Sequence, residues 1–367
     1  MNSPPPIPDA AIAPNVAAPQ HGPRPLPLFL EILVAQTQHD PLLRARALAG
    51  LTRYQDATRP TRPKAAKVHA VSGVARLLYY GSGESGGPPI VVIPSLINPP
   101  DVLDLSERIS LMRWLATQGH DVFLVDWGHP DAADRSMNLS GHIITRLVPL
   151  LQTLEEKVPP VLVGYCLGGT LAAGAAACFP VSALVTIATP WDFDGFSDKV
   201  RQEIAHLWRD AKPFCQKAGY VPMEVLQSGF WALDPARTIA KYADFGEMQE
   251  GSDAMTAFMA LEDWANAGPP LTYAASEELF EELYQANVTG LAQWKVGEDA
   301  VRPEQLTVPS LSIRSSTDRI VPATSAPALA ESWTLDMGHV GMIVGSRARQ
   351  QLWEPLSQWL FKHGAEC

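Results

Sequence analysis

A cysteine between two glycines is the strongest chemical signal in this sequence. The segment Gly164–Gly168 reads Gly-Tyr-Cys-Leu-Gly; it follows the apolar run Val161–Val163 and precedes a helix-like run of small residues. Glycines on both sides of a nucleophile permit the sharp strand-to-helix turn that presents it to a substrate. A thiol at a helix N-terminus also meets the positive end of the helix dipole, which favours the thiolate. The pattern predicts that Cys166 is a nucleophile; a buried structural cysteine in a glycine-rich turn is the alternative.

A thiol nucleophile needs a base, and that base needs a group to orient it. Asp318 lies in a turn after the apolar run Leu311–Arg314, and His339 follows the run Trp333–Leu335. Both residues therefore come after predicted strands, in the chain order nucleophile, acid, histidine that accompanies this kind of turn. We predict a catalytic triad of Cys166, Asp318 and His339.

Acyl transfer also needs backbone donors for the oxyanion that forms when a thiolate attacks a carbonyl carbon. The N–H of Leu167, the residue after the nucleophile, is the first expected donor. The second should come from the loop after the apolar run Ile90–Ile93. Leu96 is our candidate in that loop, and its neighbour Ile97 is the alternative.

The other cysteines, Cys178, Cys215 and Cys367, have no comparable setting and are predicted to be structural. The sequence contains no CxxC pair and no Cys/His cluster with zinc-ligand spacing, so we predict no metal site and no cofactor. The small number of cysteines favours a reducing compartment over a disulfide framework.

Short apolar runs alternate with helical patterns along most of the chain, and this alternation predicts the fold class. The predicted strands are Val68–Tyr80, Ile90–Ile93, Val122–Val125, Val161–Val163, Leu184–Ile187, Leu311–Arg314 and Trp333–Leu335, with a turn at Gly81–Gly87. The predicted helices include Leu26–Tyr54, Leu105–Gln118 with Ser106 as its N-cap, His142–Lys157 and Ser346–Lys362. We predict an α/β-hydrolase fold, a mostly parallel sheet flanked by helices, with a helical cap inserted late in the sheet.

The alternation stops after Pro190 and returns near Leu311, which divides the chain into segments. We predict a disordered Pro/Ala-rich tail over 1–27 and an N-terminal helical segment with a linker over 28–66. The hydrolase core should comprise 67–190 and 302–367, and the cap 191–301. The cap sequence is helical in pattern, contains no convincing strand pair, and carries tryptophans expected to be mainly core residues, namely Trp208, Trp231, Trp264 and Trp294.

Charge and hydropathy exclude some classes of function. The formal net charge of −11 and the pI of about 5.3 argue against broad nucleic-acid binding, which usually has a basic footprint. No apolar run reaches the roughly 18 to 20 residues that span a bilayer. The N-terminal residues lack the charged-then-apolar order of a signal peptide, so we expect a cytoplasmic protein.

Several segments between residues 90 and 360 form a further pattern. They are Ile97–Pro100, Val102–Leu105, Trp114–Val122, Asp126–Arg135, Thr189–Phe193 and Met337–Gly341. Together they resemble the polyhydroxyalkanoate synthases, including the poly-3-hydroxybutyrate synthases. Asp126–Arg135 is especially similar to the short, class III type of catalytic subunit, which works with a separate partner subunit.

The resemblance implies an α/β-hydrolase domain that transfers (R)-3-hydroxyacyl groups from a coenzyme A thioester, the substrate, to Cys166 and on to a growing polyester. It implies that His339 is the general base and that Asp318 orients the histidine, helps to activate the attacking hydroxyl, or does both. It also implies a homodimer, a helical partner subunit and a location at the surface of polyester granules.

The same triad can pass an acyl group to water, to an alcohol or to a polymer, so two other functions stay open. One is a cysteine-dependent thioesterase or esterase, including an intracellular polyester depolymerase. The other is an inactive granule-associated protein. The residues that differ from the synthase pattern are Arg319 and Ala323, after the acid, and Leu167, where short synthases often have Gln.

Overall fold

A central β-sheet organises the part of the chain that the computed structural model describes, residues 21–81, 87–154 and 158–364. In chain order the described strands are β1 (Lys67–Ser72), β2 (Ala75–Tyr79), β3 (Ile90–Ile93), β4 (Val122–Asp126), β5 (Val161–Tyr165), β6 (Ala183–Ile187), β7 (Tyr220–Val221), β8 (Leu271–Thr272), β9 (Lys295–Val296), β10 (Asp299–Ala300), β11 (Ser310–Ser315) and β12 (Glu331–Leu335).

The main sheet has the strand order β1-β2-β4-β3-β5-β6-β11-β12. β1, β2 and β4 pair antiparallel, and every pairing from β4 through β3 to β12 is parallel. Parallel strands end at the same edge of a sheet, so the loops that follow β3, β5, β11 and β12 meet there. The sheet confirms the predicted mostly parallel α/β architecture.

Helices surround this sheet. The α-helices in the described residues are α1 (Leu26–Gln36), α2 (Pro41–Asp56), α3 (Leu111–Thr117), α4 (Leu139–His142), α5 (Val148–Gln152), α6 (Leu167–Cys178), α7 (Asp198–Ala218), α8 (Met223–Leu233), α9 (Pro235–Glu247), α10 (Asp253–Ala265), α11 (Tyr273–Glu277), α12 (Gly341–Val344) and α13 (Glu354–Gly364). Ile143–Leu147, Glu278–Gln285 and Arg349–Trp353 are π-helical. No helix in this part of the chain is long and apolar enough to cross a membrane.

Apolar side chains bury both faces of the sheet. Leu150 of α5 and Leu171 of α6 share one core cluster with Val91 of β3, whereas the next residue of that strand, Val92, belongs to the opposite cluster. The opposite cluster includes Leu115 of α3 and residues of α13. Burial on both faces explains why these strands read in the sequence as continuous apolar runs.

The chain between β6 and β11 leaves the sheet and returns to the neighbouring position. Thr186 of β6 pairs directly with Ser312 of β11, so residues 188–309 add no strand between them. This segment contains α7 to α11 and two antiparallel ladders, β7 with β8 and β9 with β10. The expectation of no strand pair in the cap was wrong, because ladders of two residues are too short to leave an alternating pattern.

The N-terminal helices pack on the segment just described. Phe29 of α1 and Tyr54 of α2 form a core cluster with Tyr242 of α9 and Met259 of α10. The backbone N–H of Arg24 donates to Asn266 Oδ1 at 3.1 Å. Residues 1–20 of the predicted tail lie outside the described residues, but 21–27 are ordered against the cap and α1 begins at Leu26.

Several predicted element bounds were wrong for local reasons. The helix predicted over Leu105–Gln118, with Ser106 as its N-cap, is α3 and begins only at Leu111. Ser110 is the N-cap, and the Ser106 hydroxyl instead accepts the Ile109 N–H in a turn. Similarly, Val68–Tyr80 is the hairpin of β1 and β2, with a turn at Gly73.

The helix predicted over His142–Lys157 begins at Leu139, and its α-helical part ends at Gln152. Residues 155–157, and the residues 82–86 of the predicted turn, lie outside the described residues.

Candidate active site

Cys166 lies where β5 ends and α6 begins. Its backbone has φ 55° and ψ −133°, a conformation that residues with side chains rarely adopt. The turn is secured on both sides, since the Cys166 N–H donates to the Ile187 carbonyl at 2.9 Å and the Cys166 carbonyl accepts from the Gly169 N–H at 2.9 Å. Its side chain is half-buried. A strained residue held in this way at a strand-to-helix turn is the arrangement expected of an elbow nucleophile.

The two glycines of the turn are required by close backbone contacts. A Cβ on Gly164 would lie 2.3 Å from the Gly169 Cα, and a Cβ on Gly168 would lie 2.1 Å from the carbonyl oxygen of Ile93. These contacts confirm the predicted steric reason for both glycines. They also bring the loop after β3 against the first turn of α6, because the Pro94 carbonyl oxygen is 2.5 Å from the same added Cβ.

His339 and Asp318 meet at this edge of the sheet. His339 Nδ1 lies 2.7 Å from Asp318 Oδ2, and the side chains are 7% and 0% exposed. The second carboxylate oxygen, Oδ1, accepts the N–H groups of Ile320 at 2.7 Å and Val321 at 3.0 Å. The carboxylate is therefore fixed on both oxygens and can orient the imidazole.

The imidazole of His339 also interacts with the Cys166 side chain. Burial alone would lower the pKa of His339, but the negative charge of a Cys166 thiolate and the hydrogen bond to Asp318 outweigh burial and raise it to about 10. Beside a charged Cys166, His339 therefore favours its imidazolium form. Such a pair has a ready nucleophile and a proton for a leaving group.

Two backbone donors of the predicted oxyanion hole have no acceptor among the described residues. They are the N–H groups of Leu167, at the start of α6, and Leu96, in the loop after β3. By contrast, the Ile97 N–H donates to Ser95 Oγ at 3.0 Å. This bond favours Leu96 over Ile97 as the second donor.

Two tyrosines near the triad did not emerge from the sequence. The Tyr165 hydroxyl donates to the His339 carbonyl at 3.4 Å, and the two rings lie 5.2 Å apart. Burial and then the negative charge of Cys166 raise the pKa values of both Tyr165 and Tyr284. Tyr165 stands inside the elbow motif and could have been suspected from its position. Tyr284 lies in the cap, where nothing in the local pattern distinguishes it.

The Tyr284 ring contributes to an aromatic wall with Phe193 and Phe196. The ring centroid of Tyr284 is 4.6 Å from that of Phe193 and 5.2 Å from that of Phe196. The negative charge of Cys166 contributes to the raised pKa of Tyr284, so this aromatic wall lies near the elbow.

The remaining cysteines differ from Cys166. Burial raises the pKa values of the Cys178 and Cys215 thiols, which favours the unreactive neutral form. Cys367 lies outside the described residues. Within those residues, no group of three or more His, Cys, Asp or Glu side chains is arranged to hold a metal ion.

The tryptophans predicted as cap core residues fall into two groups. Trp208, Trp231 and Trp294 are 2%, 4% and 2% exposed, which confirms their core role. Trp264 is half-buried, and its indole Nε1 donates to the Pro99 carbonyl at 2.8 Å. It therefore connects the cap to the loop that carries Leu96.

Comparison with known proteins gives both a fold family and a set of relatives. The sequence matches the model of the alpha/beta hydrolase family over residues 90–352. It is 30% identical over 305 residues to the poly(3-hydroxyalkanoate) polymerase subunit PhaC of Haloferax mediterranei, covering 77% of this chain and 61% of that protein. The protein of the same name from Allochromatium vinosum is 28% identical over 298 residues, covering 76% of this chain and 82% of that protein.

A third relative of the same name, from Haloarcula marismortui, is 26% identical over 285 residues, covering 74% of this chain and 60% of that protein. The chain thus spans about three fifths of the length of the two haloarchaeal relatives.

Proposed function

Because the chain belongs to the alpha/beta hydrolase family and, within that superfamily, to the polyhydroxyalkanoate synthase family, we propose that it is an acyltransferase that builds polyester. Its substrate is a (R)-3-hydroxyacyl thioester of coenzyme A. The transfer of that acyl group requires no further cofactor. The observation that carries the proposal is the hydrogen bond between Asp318 and His339, with Cys166 interacting with the same imidazole. A thiol nucleophile with an oriented base performs acyl transfer through a covalent intermediate.

In the first step, the Cys166 thiolate attacks the thioester carbonyl carbon, and the carbonyl oxygen becomes an oxyanion. The N–H groups of Leu167 and Leu96 stabilise that oxyanion. When the intermediate collapses, the bond to the coenzyme A sulfur breaks and the imidazolium of His339 gives its proton to the departing thiolate. Free coenzyme A leaves, and the acyl group stays on Cys166.

In the second step, His339 is neutral and acts as general base. It removes the proton from a hydroxyl of a hydroxyacyl unit as that oxygen attacks the acyl-Cys166 carbonyl carbon. Collapse of the second intermediate forms an ester and releases the Cys166 thiolate beside a restored imidazolium. The polyester is then longer by one unit.

The contacts of Asp318 support an orienting role over direct activation of the hydroxyl. Oδ2 faces His339, Oδ1 accepts two backbone N–H groups, and the side chain is 0% exposed. Because this carboxylate is buried behind the imidazole, an acceptor hydroxyl would meet His339 before it met Asp318. We assign general-base chemistry to His339 alone.

Polymer growth requires that a hydroxyl reaches the acyl-cysteine and that water does not. The aromatic wall of Phe193, Phe196 and Tyr284 beside the elbow supports such exclusion. The relatives are named polymerase subunits, which supports a partner subunit for this chain as well. The homodimer, the helical form of that partner and the location at polyester granules stay proposals that rest on the resemblance alone.

The proposal is tested by incubating the protein with 3-hydroxybutyryl-CoA and measuring both free thiol release and the mass of the product. We expect coenzyme A release together with oligomers of increasing length, and neither product with Cys166→Ala. Release of free 3-hydroxybutyrate without oligomers would instead identify a thioesterase. No release by the wild-type protein, alone or with a partner subunit from a relative, would contradict acyl transfer altogether.

A further inference from the structure

The segment Ile97–Pro100 directly follows the oxyanion donor Leu96 and has no role in the chemistry described so far. Asn98 in this segment has φ 66°, a left-handed conformation that Asn tolerates better than most residues. Its side-chain Nδ2 donates to the carbonyl of Ala265 at 3.3 Å and to that of Ala267 at 3.1 Å. These carbonyls lie at the C-terminal end of the cap helix α10, where helix carbonyls lack intrahelical partners.

Two further contacts fasten the same loop to the same helix end. Trp264 Nε1 donates to the Pro99 carbonyl at 2.8 Å. A Cβ on Gly268 would lie 3.3 Å from the Asn98 Cα, so the two backbones pass closely. Pro99 and Pro100 have no N–H to donate. In the part of the chain that the structure describes, the hydrogen bonds between this loop and the cap come from the Asn98 amide and the Trp264 indole.

The end of α10 is also fixed from its other side. Asp263 accepts hydrogen bonds from the Tyr54 hydroxyl and from Arg59, whose Nε and Nη2 lie 2.9 and 3.0 Å from the carboxylate oxygens. The Arg24 N–H donates to Asn266 Oδ1 at 3.1 Å. Helix α10 thus lies between the N-terminal helices and the loop that carries Leu96. Because the N-terminal segment holds this helix end, α10 can support that loop.

We propose that Asn98 is a positioning residue, which places the Leu96 N–H for oxyanion stabilisation by fastening its loop to the C-terminal end of α10. The inference deepens the proposed function, since it concerns the same acyl transfer. Asn98 is two residues from Leu96, so a shift of the loop moves the donor directly. An error of about 1 Å in the position of a catalytic group can cost about 100-fold in rate. The oxyanion hole is therefore complete only while the cap helix is in place.

Two reactions of Cys166 separate this role from a general loss of structure. Acylation by 3-hydroxybutyryl-CoA or by 4-nitrophenyl acetate passes through an oxyanion, whereas alkylation by iodoacetamide displaces iodide from a saturated carbon and forms none. Alkylation requires only the thiolate–imidazolium pair. The ratio of the acylation rate to the alkylation rate, measured on one sample, thus reports on the oxyanion hole and cancels any change in the folded fraction.

The test uses Asn98→Gly, which keeps the left-handed backbone without strain and removes the amide, and Asn98→Asp, which keeps the shape and removes the donor. Asn287→Gly is the matched control. Asn287 also has a left-handed φ, 50°, and its Nδ2 bridges Asp192 at 2.8 Å and Asp194 at 2.9 Å. Its Oδ1 also accepts the Phe193 N–H at 2.8 Å. The variant therefore loosens the cap near the aromatic wall without touching the Leu96 loop, and a change in access to Cys166 enters both rates.

We expect both Asn98 variants to lower the acylation-to-alkylation ratio by about 10- to 100-fold, and Asn287→Gly to leave it unchanged. An unchanged ratio in the Asn98 variants, or an equal fall in Asn287→Gly, would overturn the proposed role of Asn98. A different result would contradict the proposed function: 4-nitrophenyl acetate acylates the wild-type protein, but 3-hydroxybutyryl-CoA does not. In that case the role of Asn98 can still be tested, because the Asn98 and Asn287 variants can be compared with 4-nitrophenyl acetate as the acyl donor.

Discussion

His339 Nδ1 lies 2.7 Å from Asp318 Oδ2, and this pair sits at 7% and 0% side-chain exposure beneath the reactive thiol. A buried carboxylate at this distance selects the tautomer in which Nδ1 carries the proton, and the other ring nitrogen is then directed to Cys166. Asp318 follows β11 and His339 follows β12, and these two strands end at the same edge of the sheet.

Asp318→Asn should reduce acyl transfer by about 100- to 10,000-fold while the protein stays folded, because an amide can donate to Nδ1 and so select the wrong tautomer. The measurement is single-turnover release of coenzyme A. The matched control is Asp336→Asn, which neutralises an exposed acid near the same histidine. Equal activity of the two variants would show that Asp318 does not orient His339.

The rate of acylation should depend on the protonation of His339. Its pKa is raised to about 10, so the imidazolium that protonates departing coenzyme A is present at neutral pH and is lost as the pH rises through about 10. We expect the single-turnover rate to fall on that alkaline side. In Asp318→Asn the fall should begin at lower pH, because a hydrogen bond that raises this pKa is weakened. A fall near pH 7 in the wild-type protein would contradict the thiolate–imidazolium pair.

Gly168→Ala should destabilise the protein by about 1–3 kcal/mol, the usual cost of overpacking, because the added methyl group meets the Ile93 carbonyl oxygen at 2.1 Å. Urea unfolding followed by circular dichroism measures the change. Gly338→Ala is the control in the same site, since an added Cβ there meets nothing within 4 Å. A loss of stability as large in Gly338→Ala would point to glycine content in general instead of the elbow contact.

Thiol labelling should be selective for Cys166. Cys166 and Cys178 are both half-buried and Cys215 is buried, but burial raises the pKa values of Cys178 and Cys215, whereas Cys166 interacts with the imidazole of His339. Iodoacetamide at neutral pH should therefore modify Cys166 first among these three, as read by peptide mass spectrometry. Cys178→Ala should keep wild-type acyl transfer. Faster labelling of Cys178 or Cys215 than of Cys166 would contradict the activation of Cys166 by His339.

Much of the fold and site was predictable because the signals are local or follow from chain order. The elbow glycines are dictated by contacts within one turn, and fully buried parallel strands read as apolar runs. The triad required only that acid and histidine follow strands whose ends share one edge. The site geometry agrees with these positions, while the catalytic roles of the residues stay a proposal.

What the sequence could not reveal depends on tertiary contacts. The sequence predicted Ser106 as an N-cap, but α3 begins after Ser110, whose side chain accepts the Arg113 N–H at 3.0 Å. The Arg113 side chain contacts Asp104 at 2.7 Å, and Asp104 also accepts from the Tyr80 hydroxyl at 2.9 Å, a contact with a distant strand. Likewise, the amide of Asn98 meets α10 across a large separation in the chain. No local pattern encodes either contact.

The most direct test is whether an acyl group becomes attached to Cys166. The protein is mixed with 3-hydroxybutyryl-CoA, quenched in acid and digested, and the peptide that contains Cys166 is weighed. We predict a 3-hydroxybutyryl adduct on that peptide, labile to hydroxylamine, and its absence from Cys166→Ala together with loss of coenzyme A release. Coenzyme A release at the wild-type rate by Cys166→Ala would show that Cys166 is not the nucleophile.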